Sequence, residues 1–379
     1  MLVGIALVTV AAFLLGGVLA ASGAVAPAVA AHVVFAVGIV PLILAAITHF
    51  VPVLTRTGTP AKGILWLPVA AQAAGVLAVL ALYGSVPRGV LHAAAGIDLL
   101  AAAVLALWVR RRARACLGKP HPGWRWYLAA LLALSLALAS VLAMGGLPAF
   151  HGALRLLHLH LNTLGLVSLV AFGTLPVLLP TAVNRPDPGA APWLSGRLRW
   201  FVAGTLLGSL AAACSATAAK GLVPVLGGAG VVCLMLPVLG LLRQWQQRFG
   251  VRGPLGDGAV ASLVAASCGW LILAGSGVGH ALGWWGGRSA IAMFIGGFLL
   301  PLVTGALTQL LPVWRYPGVA TQARVEMRRR LAATGTWRAA LFLVGGLCLA
   351  GGFEAAGMAV AGLALALFAV AVGGSLVRA

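Results

Sequence analysis

The chain has 379 residues, 62% of them hydrophobic and 8% charged, with 25 Lys and Arg against 5 Asp and Glu for a formal net charge of +20. Soluble domains carry about a quarter of their residues charged, so a water-exposed globular fold is excluded. Cys116, Cys214, Cys233, Cys268 and Cys348 form no CxxC pair and no spaced cluster, which gives no support to a thiolate metal centre or a disulfide framework.

A helix that crosses a bilayer needs about 20 apolar residues. The sequence supplies such a run twelve times, at 1–24, 30–54, 64–84, 88–109, 126–146, 156–182, 198–218, 222–242, 259–280, 289–314, 336–352 and 355–376. The expected fold class is all-α, a polytopic membrane protein of about twelve spans. The first run has no basic region ahead of it and no convincing cleavage site, so it reads as a span rather than a signal peptide.

Basic residues set the orientation. With Met1 inside, the inner connections and the C-terminus hold 21 of the 25 Lys and Arg, from Arg56 and Lys62 through Arg252 to Arg378, and the outer side keeps Arg88, Arg155, Lys220 and Arg288. That asymmetry is the positive-inside pattern of an N-in, C-in chain. Spread over short inner connections, the positive charge is a topology signal plus attraction for anionic lipid. The expected partner is the lipid bilayer, with no nucleic acid. The high Ala, Gly and Arg content suits a bacterium of high GC content, and hence its inner (cytoplasmic) membrane.

An internal repeat organises the spans. Segments 38–58 "GIVPLILAAITHFVPVLTRTG", 166–186 "LVSLVAFGTLPVLLPTAVNRP" and 298–318 "FLLPLVTGALTQLLPVWRYPG" align on Pro52, Pro180 and Pro312, at offsets of 128 and 132. The same register matches Pro41 with Pro301, Gly173 with Gly305 and Thr48 with Thr308. Each segment ends the second helix of a set of four, so three pseudo-symmetric four-helix repeats are expected, at 1–125, 126–257 and 258–379.

On this topology His32, His92, His151, His158, His160 and His280 fall at or near the outer face, and His49 and His121 inside. Adding 128 to His32 gives His160, so the second and sixth helices carry histidines at one depth and in reach of a shared cavity. His158 and His160 point about 200° apart on a regular helix, so they look into different places. Taken singly, His92, His151 and His280 read as polar tips in the headgroup region. His49, which stands where the other repeats have Val177 and Gln309, reads as a packing or hydrogen-bonding residue, and His121 as a solvated loop residue.

Two stretches carry a family resemblance. "AAHVVFAVGIVPLILAAITHFVPVLTRTG" (Ala30 to Gly58) resembles the second helix of subunit I of the heme-copper oxidases, whose outer-end histidine ligates the low-spin heme and which also ends in a Val-Pro turn. "HLHLNTLGLVSLVAFGTLPVLLPT" resembles the His-x-His helix of that subunit, where one histidine serves each heme. The span count, the repeats and the outward histidines are similar to that superfamily, which includes nitric oxide reductases, and to the smaller NnrS-like membrane proteins linked to nitric oxide. The resemblance implies His32 and His160 as axial ligands of a low-spin b-type heme. It leaves His158 for a second heme or for copper, with His151 or His92 beside it. Asn162 or a backbone carbonyl would orient the imidazoles.

The chain departs from that family in ways that bear on function. Its His-x-His lies on the sixth helix rather than the tenth, the tenth has no histidine, and no adjacent His-His pair exists. None of Tyr83, Tyr127 and Tyr316 stands in a His-x-x-x-Tyr pattern. Oxygen reduction is therefore not expected, and with no CxxCH a c-type heme is not either. The reading favoured is a heme-binding membrane protein acting in electron transfer or nitric oxide handling, which implies a periplasmic electron donor or a partner subunit. The alternative is a cofactor-free permease, or a protein whose outer histidines handle periplasmic copper or zinc; broken, Pro-containing helices in repeats suit a transporter. Asp98 is the one acidic residue inside a span, where a proton or ion role is the default, and Glu354 opens the last helix. Trp284 and Trp285 read as an outer interfacial belt, and the 51 glycines as sites of close helix contact.

Overall fold

The computed structural model describes residues 1–250, 256–284 and 287–377; Arg252, Trp285 and Arg378 lie outside the described residues. Among the described residues there is no strand, and twelve helices are long and apolar enough to cross a membrane. They are α1 (Leu2–Ser22), α2 (Pro27–Thr55), α3 (Lys62–Tyr83), α4 (Val90–Arg114), α5 (Gly123–Gly146), α6 (Pro148–Ala182), α7 (Ala190–Ser215), α8 (Ala218–Phe249), α9 (Gly258–His280), α10 (Ser289–Arg315), α11 (Gln322–Ala350) and α12 (Glu354–Val377). The chain is a multi-pass membrane protein. Each expected span finds its helix, and the largest extensions are polar or basic turns that hydropathy excludes, such as 322–332 at the start of α11.

Several helices end in a left-handed turn. Gly23 (φ 64°) closes α1 and Gly84 (φ 91°) closes α3, in a conformation that costs glycine little. Two residues other than glycine take it among those described, Arg56 (φ 50°) after α2 and Asn184 (φ 52°) after α6, and they stand 128 residues apart. Both ends use one pattern: the N–H of Thr57 donates to Pro52 O and that of Arg185 to Pro180 O, each at 3.0 Å.

Contacts group the chain into two compact units, Met1–Thr174 with Gly189–Cys233, and Leu175–Pro188 with Leu234–Ala379. In the first, α2 and α6 each contain a widened π-helical turn, at Val33–Ile39 and Leu161–Val167. The offset is again 128. Such turns free main-chain carbonyls, which in a membrane interior must find another donor. Pro41 has no N–H for the carbonyl of Val37 four residues back, and that carbonyl accepts from Gln72 Nε2 of α3 at 3.2 Å. Gly38 O accepts from Thr9 Oγ1 of α1 at 3.0 Å, and Leu164 O accepts from Thr205 Oγ1 of α7 at 2.9 Å. Ser168 Oγ donates to Thr163 O at 2.7 Å.

Small residues let these widened turns approach their neighbours. A Cβ on Gly75 of α3 would overlap the carbonyl of Ala36, and one on Gly165 would stand 2.6 Å from Ala133 Cβ of α5. Gly173 makes room for Trp126, which is fully buried, donates Nε1–H to Leu194 O at 3.0 Å and stacks on Trp193 at 5.6 Å.

The second unit has its own π turn, Phe294–Leu299 in α10, ending 132 residues after Val167; its Gly297 carbonyl leaves no space for a Cβ on Gly269 of α9. The basic turn that opens α11 is tied down by Arg328. Its Nε donates to Gln309 Oε1 at 2.6 Å, and its Nη2 donates to Ala182 O at 3.0 Å and to Asp257 Oδ2 at 2.7 Å. Asp257 in turn caps α9, Oδ1 accepting from the N–H groups of Ala259 (2.9 Å) and Val260 (3.2 Å). Arg338, with no exposed surface, donates to Thr334 Oγ1 and Leu331 O and lies 5.0 Å over the ring of Phe368.

Candidate metal or heme site

His32 stands just before the π turn of α2, and His158 lies in the first regular stretch of α6. Both belong to the first unit. Their ring centroids are 6.4 Å apart and their planes 9° from parallel. His32 Nδ1 is 2.7 Å from Ala28 O, and His158 Nδ1 is 3.0 Å from Ala137 O of α5. A carbonyl only accepts, so each Nδ1 carries the hydrogen. In the neutral ring that leaves the Nε2 lone pair to bind a metal. The amide nitrogen of Asn162 stands 3.4 Å from His158 Nδ1 but 2.9 Å from His158 O, so the main-chain oxygen is its acceptor and Asn162 fixes the helix rather than the ring.

The repeat register pairs His32 with His160; the structure sets His158 opposite His32 instead. Equal depth does not mean equal direction: His160, two residues on, points about 200° away from His158. His160 Nδ1 also donates to a carbonyl, Leu156 O at 2.9 Å, one turn back in its own helix. It therefore presents Nε2 in a different direction.

The remaining histidines are not drawn into the pair. His92 is exposed, with Nε2 3.0 Å from where a Cβ on Gly145 would sit, and His151 is exposed at the start of its helix. Among the described residues no group of three or more His, Cys, Asp or Glu is placed to share a metal ion, so His158, His151 and His92 form no such cluster. His49 is half-buried and meets Phe50 edge-on at 5.3 Å. His121, expected to be solvated, is half-buried: its main-chain N–H donates to Leu54 O at 2.9 Å, and its ring Nδ1 accepts from Gly123 N–H at 3.3 Å. Burial lowers the pKa of His121 below the usual histidine value.

The donor set decides what this pair suits. Two imidazoles that share one ion each place Nε2 about 2.0 Å from it, and with about 1.1 Å from Nε2 to ring centre the centroids stand at most about 6.2 Å apart. The observed centroid separation of 6.4 Å is of that size. A structural zinc ion asks for four protein donors. A heme brings its own equatorial nitrogens and asks for one or two axial ligands.

No known family model matches the chain, and neither a curated protein nor a solved structure matches it.

Proposed function

We propose that the protein is a b-type heme membrane protein in which His32 and His158 would hold the heme iron, serving electron transfer or nitric oxide handling. The observation that carries this reading is the ring pair: parallel imidazoles at two-ligand separation, each anchored through Nδ1 to a main-chain carbonyl. A bound heme would supply one-electron exchange at that position. The chain's own part is to hold both rings, half-buried on two apolar helices, in the tautomer that exposes Nε2.

The three-repeat organisation belongs to the same reading. The offsets of the π turns, and the left-handed pair Arg56 and Asn184, match those of Pro52, Pro180 and Pro312 and support it. The orientation proposed is N-in, C-in in a bacterial inner membrane, which puts the histidine pair near the periplasmic face and in reach of a periplasmic electron donor.

The test is a reduced-minus-oxidised optical spectrum of detergent-purified protein expressed with ample heme. A b-type α band that is lost in His32→Ala and in His158→Ala but kept in His160→Ala is the expected result. Folded protein without a Soret band would overturn the heme reading, and loss in His160→Ala with retention in His158→Ala would overturn the ligand assignment.

A further inference from the structure

The chain has five acidic residues, and four of them are tied to a partner. Asp187 pairs with Arg248 at 3.1 Å and accepts from Gln244 at 2.8 Å. Asp257 holds Arg328, Glu326 holds Arg329 and Arg330, and Glu354 accepts from Ser289 Oγ. Asp98 is different. It is 8% exposed, and its Oδ1 is sealed from solvent with no hydrogen-bond partner among the described residues.

Its position is deep. Asp98 lies eight residues into α4, about 12 Å along the helix at 1.5 Å per residue, in a buried stripe with Ala94, Ala95, Ala101 and Ala102. The helices packed on α4 are α3, α5 and the second half of α2. Their ionisable groups are Lys62 and Tyr83 on α3, Arg125 and Tyr127 on α5, and His49 on α2. Lys62, Tyr83 and Arg125 stand at helix ends, Tyr127 bonds Thr174 at 2.9 Å, and His49 meets Phe50. None forms an ion pair or hydrogen bond with Asp98 among the described residues. On α4 itself, His92 is exposed and the arginines gather at the far end.

An ionised carboxylate without a counter-ion is costly in such a place, and a metal cation would need several oxygen donors. The neutral acid, with one proton on the carboxyl, meets neither difficulty. We propose that Asp98 is a proton-binding site inside the first unit, holding one exchangeable proton and no metal cation. The proposal does not depend on heme.

A hydrophobic carbodiimide reports such a proton. The carboxyl proton passes to one carbodiimide nitrogen, the carboxylate oxygen adds to the central carbon, and rearrangement to the N-acylurea keeps every atom of both reactants. Full-length protein in detergent is treated with N,N′-dicyclohexylcarbodiimide at pH 6 and pH 9, with and without sodium chloride, and mapped by peptide mass spectrometry. The expected result is an adduct on Asp98 that forms about tenfold or more slowly at pH 9 and is indifferent to sodium. An infrared carboxylic-acid band that shifts in D2O and vanishes in Asp98→Asn is the second readout. No adduct at Asp98, equal labelling at both pH values, or protection by sodium would each overturn the proposal. The wild-type labelling decides even where the Asn variant does not fold.

Discussion

His32 and His158 reach each other from two different helices, 126 residues apart in the chain, with ring planes 9° from parallel. If they serve as axial ligands, exchanging one imidazole for a thioether keeps the bond and changes the electronics. His158→Met is expected to retain heme and to raise the midpoint potential, by on the order of 0.1 V within the roughly 0.8 V that axial ligands span. A potentiometric titration checks it; an unchanged potential would remove His158 from the ligand set.

Gly75 faces the carbonyl of Ala36 across the widened turn of α2, and main chain cannot move aside as a side chain can. Gly75→Ala is expected to destabilise the protein by about 1–3 kcal/mol or more. Gly96→Ala on α4, where a Cβ meets nothing within 4 Å, is the control and should be near neutral. Thermal unfolding in one detergent compares the two.

Arg328 uses its guanidinium fork on three acceptors at once. A lysine keeps the charge but not the fork. Arg328→Lys is therefore expected to recover less than half of what Arg328→Ala loses, with the alanine cost about 1–3 kcal/mol. Full recovery by lysine, read from melting temperatures, would reduce the interaction to charge alone.

His121 gives a pH dependence. Its folded pKa is depressed, so the unfolded chain binds the proton more readily, and stability is complete above the ordinary histidine value near 6.5 and declines as pH falls below it toward the folded value. Because the ring is half-exposed, the loss is on the order of a few tenths of a kcal/mol. His121→Asn, whose side-chain oxygen can accept from Gly123 N–H without titrating in this range, should flatten that slope between pH 7.5 and 5.5.

The spans were legible because hydropathy is a property of local composition, and the C-terminal turns of α2 and α6 because Pro52 and Pro180 mark them. The Arg328 junction was not, since Gln309, Ala182 and Asp257 meet it only after four separate segments have packed. The histidine pairing was half legible. Register arithmetic puts His32 and His160 at one depth, but depth along a helix says nothing about which way a side chain faces. His121 looked solvated because two prolines flank it, yet Leu54 and Gly123 enclose it through main-chain bonds invisible in composition.

The widened turns after His32 and His160 have a further consequence for how this chain can vary. One residue more or fewer in a helix rotates everything on one side of the change by about 100° against the other. A widened turn can take up the loss of one residue by tightening to an ordinary α turn. A single-codon deletion in the regular stretch that follows, Val40–Thr55, would instead leave a helix as apolar and nearly as long, and every hydropathy profile would pass it. The imidazole end would nonetheless swing by more than a quarter turn, so the loss would be of aim rather than of insertion.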